Sequence, residues 1–360
     1  MSKQKIENDA EKQPCTRKKF GVAVLTFLKK NEYIFSKIGL ALLTLALTTI
    51  CLFFLLRQIP GDVVDIYAQS LQVSRGLTYD KAYELAVQLM NYDPNEGIMD
   101  ALIRYVGGLM RGELGESYLQ IGLSANTLIE QRLPWSLFIS SMALFISFFL
   151  GIAIGGFVAQ RRKGITNKIV SGYIAITGAV PDYLLALLMV TFFSYQLKIF
   201  PSQNNYDIFN VTPGFNIPFF TNVLYHACLP ILSSAIIQTG SWIMQMRGSC
   251  IGVLGTDYIF SAKARGLSDG TIRRRYMKKN ALLPLVASFG VAFGSLFGGS
   301  VLLESIFNYP GIGLEITSRI VSKDYVVVQG LVFFSAAMII IVNLLVDLIY
   351  PFVDPRVKRG

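Results

Sequence analysis

The chain has 360 residues, 52% of them apolar, with a mean hydropathy of +0.49. Only 16% are charged, against about 25% in an ordinary soluble domain, and the apolar residues fall in blocks near or above the roughly 20 that cross a hydrocarbon core. A purely soluble fold is excluded, and the net charge of +10 comes from basic residues flanking those blocks rather than from a basic face that would point to nucleic acid.

Residues 1–35 are a polar, Lys-rich tail whose apolar stretch 22–28 is too short to span and reads as an interfacial helix between two Lys pairs. A first span is predicted over 38–56, pinned between Lys37 and Arg57; no A-x-A-like site follows it, so it reads as an uncleaved anchor. The next polar segment is too long for a connector. Ala82, Leu85, Ala86 and Leu89 predict a helix over 80–90, and the pattern resumes over 103–110. Further spans are predicted over 137–159, 169–197, 227–246, 281–303 and 331–350, with a second outer loop rich in Asn, Pro and Phe over 197–224. Gly and Pro inside these blocks, such as Gly151, Gly155, Pro181 and Pro230, are tolerated in a membrane bundle. The expected fold class is all-α, a polytopic membrane protein with six transmembrane helices.

Orientation follows from the basic residues. With the N-terminus inside, cytoplasmic segments hold 24 of the 33 Lys and Arg, and outer segments hold nine. Long loops obey the rule poorly; without the long outer segment the comparison is 24 against four. Both termini are expected in the cytoplasm. Cys15, Cys51, Cys228 and Cys250 then lie in cytoplasmic or membrane segments, so neither a structural disulfide nor a metal site is expected.

The basic cytoplasmic loop 247–280 is the most informative polar stretch. Residues 257–264 suit a short helix, Gly266 can end it in the left-handed conformation, and Ser268 can cap a second helix through Arg273 to Lys279. Strung between two spans, such a unit projects as a knob able to pass force from a docked partner. A solvated basic loop is the competing reading.

Ser261, Ala262, Lys263, Ala264, Arg265, Gly266 and Leu267, followed by Asn280, Ala281, Leu282, Leu283 and Pro284, resemble the cytoplasmic "EAA" loop of bacterial binding-protein-dependent ABC importer permeases. The branch is the one serving oligopeptides, dipeptides and nickel chelates. The likeness covers nearly everything from Ile38 onward. Before the loop it includes Leu55, Leu56 and Arg57 with Pro60, Gly61 and Asp62; Gly107 to Leu109; and Gly112, Glu113, Leu114 and Gly115 with Ser117 and Tyr118. Arg132, Leu133 and Pro134 follow at the head of the second span, and His226 with Leu229 and Pro230 at the fourth. After the loop come Glu304, Phe307 with Pro310 to Gly313, Asp324 and Tyr325 with Val328 to Gly330, Asn343 to Asp347, and Asp354 to Arg356. Departures are the missing acidic residue of the loop, Tyr276 where relatives have His, Asn91 and Tyr92 before Asp93 and Pro94, and Asp182 where relatives often have Ser.

The resemblance implies a type I ABC importer transmembrane fold: a tail with an interfacial helix (1–37), a first span (38–56), an extracytoplasmic segment (57–133), a core permease domain (134–355) and a short tail (356–360). It places the chain in the bacterial inner membrane, multi-pass. Its ATPase-coupling residues would be Asp257, Tyr258, Ala262, Lys263, Ala264, Arg265 and Gly266, with small Ala262 and Ala264 letting the knob sit flush in an ATPase groove. Implied partners are a homologous second permease subunit, two ATP-binding subunits, an extracytoplasmic substrate-binding protein and membrane lipid. The chain contains no G-x-x-x-x-G-K-[ST] motif. It is therefore expected to be no enzyme, with no catalytic residue and no bound cofactor, ATP and Mg lying on the ATPase subunits.

Asp182, near the middle of the third predicted span, must face the bundle or water. It is either a translocation-path residue or a hydrogen-bonder to backbone freed by Pro181. Asp347 is expected to hold a neighbouring helix near the cytoplasmic face. Glu304, at the outer edge, is either solvated or part of an outer gate. The single histidine, His226, reads as a structural hydrogen-bonder. Two other classes fare worse. An ion-driven transporter calls for inverted repeats and paired intramembrane charges, and an intramembrane enzyme for a nucleophile–base pair at membrane depth.

Overall fold

The structure, a computed structural model, describes residues 32–58, 63–90, 97–117, 119–120, 122–159 and 164–353. The expected interfacial helix at 22–28 lies outside these residues. So do the motif residues at 60–62, 91–94, 118 and 354–356, and the basic residues at 161–163. The described residues are helical throughout apart from turns and one antiparallel bridge, Glu116 to Ser124.

Helix α1 (Glu32–Arg57) is followed by a hairpin of α2 (Val63–Arg75) and α3 (Tyr79–Met90), and by α4 (Ile98–Met110). The hairpin exists because Ala82 and Ala86 of α3 bury a small-residue stripe against Val64, Tyr67, Ala68 and Leu71 of α2. Leu89, expected on the same stripe, is exposed. Helix α5 (Ala125–Val158) starts well before the predicted second span, because the Ser124 side chain accepts the Thr127 N–H and caps it. Arg132 to Pro134 therefore sit inside a helix rather than at its head.

The third predicted span is broken. Helix α6 (Ile165–Ala179) and the α7 segment (Asp182–Met189, continued by π-helical Val190–Gln196) meet at a 98° bend. Pro181 has no N–H and forces Val180 into extended backbone (φ −94°, ψ 121°), which stops α6 there. Helix α8 (Ile217–Leu254) also begins early, with the Asn216 side chain accepting from Phe219 N–H. After α9 (Asp257–Ala264) the chain runs as one helical stretch, Asp269–Gly298, whose α-helical body is α10 (Lys278–Ser295). The expected second cytoplasmic helix and the fifth span are thus a single element. Helix α11 (Val301–Ile306), α12 (Ile312–Val321) and α13 (Tyr325–Val353) complete the fold. Among the described residues five helices are long and apolar enough to cross a membrane, or six if the bent pair is one span.

Helix α8 is the centre of the bundle, packing on α5, α6, α7 and α10. Close approach of α5 and α8 depends on missing side chains. A Cβ on Gly151 would lie 2.2 Å from that of Trp242, and one on Gly155 would lie 2.7 Å from the Ile243 carbonyl. Edge-on contact of Phe148 with Trp242 (5.0 Å between centroids) and its tilted contact with Phe289 (4.4 Å) join α5, α8 and α10.

Candidate functional site

A compact unit is built from the end of α8, helix α9 and the start of the Asp269–Gly298 stretch. Helix α9 buries Ile259 and Ala262, three residues apart, against Ile272, with Tyr258, Leu267 and Tyr276 packed around them. Its end is a Schellman motif: Gly266 N–H donates to the Lys263 carbonyl (2.9 Å) and Leu267 N–H to the Ala262 carbonyl (3.3 Å). Gly266 adopts φ +73°, and a Cβ there would meet nothing within 4 Å. Its glycine is required by the backbone alone. Ser268 then starts the next turn, accepting from Thr271 N–H.

These contacts sort the expected coupling residues. Asp257, Lys263, Ala264, Arg265 and Gly266 lie exposed on the outer face, and Tyr258 is half-buried. Ala262 is a correction: it is buried (3% exposed). Its small side chain serves the packing of α9 on Ile272. One residue on the outer face was missed. Phe260 is 76% exposed, a large apolar ring at the tip of this unit. Its position, one residue from the inward Ile259 and two from Ala262, was readable from helical spacing.

On the opposite side, Glu304 of α11 is fully buried. This corrects the solvated alternative. Ser136 Oγ (2.8 Å) and Ser300 N–H (3.1 Å) donate to its Oε1, and Leu314 N–H (3.0 Å) to its Oε2. Ser136 Oγ in turn accepts from Ile312 N–H at 2.8 Å. A Cβ on Gly311 would fall 2.3 Å from Glu304 Oε2, so the carboxylate occupies space that only glycine leaves. Burial pushes the Glu304 carboxyl above its ordinary range, against the pull of these donors. The group locks α11 and α12 onto α5.

A second lock lies on the same side. Glu315 of α12 takes Arg132 of α5 (3.1 Å) and Arg319 (2.9 Å), and Arg319 reaches buried Asp324 (3.4 Å). Asp324 accepts from Ser117 Oγ at 2.6 Å. Gly115 packs under Val326, and Gly330 under the Leu114 carbonyl, where a Cβ would be 2.1 Å away. The motif residues at 112–117, 132, 304, 310–313 and 324–330, scattered in sequence, build these two adjoining locks.

Asp182 sits at the bend, in the first turn of α7, half-buried, with its Oδ1 accepting Tyr183 N–H at 2.8 Å. It is not mid-way along a continuous helix. The Pro181 carbonyl is taken by Leu184 and Leu185 N–H. Asp347 of α13 accepts from Lys37 Nζ of α1 at 2.7 Å. His226 Nδ1 meets the Asn222 carbonyl at 3.0 Å. Among the described residues no group of three or more His, Cys, Asp or Glu is placed to hold a metal ion.

Residues 151–359 match the model of a family described as the binding-protein-dependent transport system inner membrane component. A putative peptide permease protein of Brucella ovis is 32% identical over 323 residues, 89% of this chain and 96% of that protein. The dipeptide transport system permease protein DppB of Escherichia coli K12 is 29% identical over 344 residues, covering 91% of this chain and 99% of that one. The oligopeptide transport system permease protein AppB of Bacillus subtilis is 26% identical over 312 residues, with coverages of 86% and 94%. A chain of a crystallised amino acid ABC transporter aligns at 14% identity over 64% of this chain and 95% of that chain, with a TM-score of 0.46. With more than half its length inside the family match, this chain belongs to the inner membrane components of binding-protein-dependent transport systems, as a multi-pass ABC permease subunit of type I fold that depends on separate ATPase and substrate-binding partners and is not itself an enzyme.

Proposed function

We propose that this chain is one of two homologous permease subunits of an importer that carries oligopeptides or dipeptides across the bacterial cytoplasmic membrane, both termini facing the cytoplasm. The substrate class is supported by the peptide, dipeptide and oligopeptide permeases it resembles along nearly their whole length. Helix α9 docks in a groove of one of two ATP-binding subunits, which hold ATP and Mg, and a substrate-binding protein delivers peptide to the outer face. The observation that carries the coupling reading is Phe260, an exposed aromatic anchor on a short helix otherwise fixed to the chain by Ile259 and Ala262. Movement of α9 is passed through Ile272 into the unbroken stretch Asp269–Gly298, and so into the membrane. The Glu304 and Glu315 locks hold the outer gate, and Asp182 lies beside the path. ATP-driven closure opens the path outward and hydrolysis resets it; pumping requires different substrate affinities in the two states.

The complete importer in lipid vesicles tests this. The wild-type complex is expected to couple ATP hydrolysis to peptide uptake, and Phe260→Ala to lower both by about tenfold, the loss of roughly 1.4 kcal/mol from an aromatic anchor. Full uptake with Phe260→Asp would sink the coupling role of α9.

A further inference from the structure

Within the membrane, α8 and α10 turn polar faces towards one shared cavity of about 630 Å³. Gln238, Ser241 and Gln245 follow one another at helical spacing on α8, and Ser288 and Ser295 lie two turns apart on α10. Among the described residues lining the cavity none is charged. At 1.5 Å per residue, Gln238 lies about 4 Å and Gln245 about 14 Å from the centre of α8, inside a hydrocarbon half-thickness of about 15 Å. Amides at that depth are costly against lipid, so this face meets water, substrate or protein.

The two walls differ in hydrogen-bonding character. The one hydroxyl proton of buried Ser147 goes to the Leu144 carbonyl at 3.0 Å, nearer than Gln238 Oε1 at 3.4 Å, so the Gln238 amide keeps both donors and acceptor to offer. Ser288 donates to the Pro284 carbonyl (3.2 Å) and Ser295 to the Ala292 carbonyl (2.7 Å). Their protons are used within α10, and their oxygens remain as acceptors. The α8 wall therefore offers amide donors and acceptors, the α10 wall offers hydroxyl acceptors, and neither carries charge. An extended peptide presents the complement, alternating C=O and N–H whatever its side chains.

We propose that this face is a mid-membrane station that holds the main chain of the passing peptide through Gln238, Gln245, Ser288 and Ser295. It rests on the peptide reading above and adds how the path tolerates many sequences: the groups it grips are common to all peptides, and a neutral wall favours neither terminus.

The test uses the full importer in vesicles, with trialanine and trialanine N-methylated at its central amide, both at concentrations saturating the binding protein. Wild type is expected to import the methylated peptide about tenfold more slowly, the scale of one lost hydrogen bond of roughly 1.4 kcal/mol. Ser288→Ala with Ser295→Ala should remove that discrimination, because their oxygens accept the peptide N–H, and Gln238→Leu with Gln245→Leu should reduce it. Unchanged discrimination in both variants overturns the proposal. So does loss of binding-protein-stimulated ATP hydrolysis together with uptake in both, which would mark the face as a seam with the second permease subunit. A wild-type complex that imports neither peptide would instead bring down the peptide reading itself.

Discussion

Gly266 contributes to the unit around α9 through its backbone alone. At φ +73° a side chain costs about 1–2 kcal/mol in the left-handed region, yet a Cβ meets no neighbour. Gly266→Ala and Gly266→Trp should therefore lose similar stability in detergent, read as a matched drop in Tm. Only the Trp variant should lose ATPase coupling in the assembled importer, because only it fills the space a docked subunit would need. Glu304 works in the opposite way, through its side chain. Its pKa is raised in the fold, so the fold binds this proton more tightly than the unfolded chain does. The resulting stabilisation is complete below the unfolded value of about 4.3 and is lost as pH rises through the folded pKa. Thermal stability measured against pH should decline in that window, and Glu304→Gln should flatten the decline. Glu304→Ala should destabilise at every pH, since each buried donor left unpaired costs about 1–3 kcal/mol. Gly266 was legible in the sequence because a helix end announces itself locally. The burial of Glu304 was not, because its cradle comes from Ser136, 168 residues away, and from glycines in the next helix.

Among the elements, α9 separates two alanines that look alike in sequence. Ala262 is packed under the helix and Ala264 lies exposed beside Phe260. Ala262→Leu should overpack the contact with Ile272 and cost about 1–3 kcal/mol, whereas Ala264→Leu should stay within about 0.5 kcal/mol. Paired melting curves in detergent check this, and equal losses would refute the inward assignment of Ala262. The bounds of α9 could be read from residues 257–266, since Gly266 and the Ile259 and Ala262 spacing define them. Hydropathy windows could not locate the ends of α5 and α8, because Ser124 and Asn216 cap these helices well outside their apolar blocks. Nor could they see the 98° bend at Pro181, since both arms are apolar. Hydropathy measures depth in the membrane, and direction is set by backbone chemistry.

At the scale of the whole molecule, the six apolar blocks were readable but their arrangement was not. Within the chain 44% of the most apolar window of α8 is buried, against 11% for α1 and 6% for α13, so α8 is the core and the terminal spans are the rim. The Lys37–Asp347 pair joins those two rim helices near one end, but its side chains are 34% and 46% exposed, which limits it to about 1 kcal/mol or less. The sidedness of the bundle rests on its basic residues, and it is open to a direct test. Phe209 is 97% exposed in the loop between the bent third span and α8, and Ser261 is exposed on α9 at the other end of α8. With Cys15, Cys51 and Cys228 replaced by Ser, and Cys250 fully buried, single cysteines can be placed at either site. A membrane-impermeant maleimide applied to intact cells stripped of their outer membrane should label Phe209→Cys at once and Ser261→Cys only after lysis. The reverse pattern would place α9 outside, where no ATPase could reach it, and would overturn the orientation and the coupling role together.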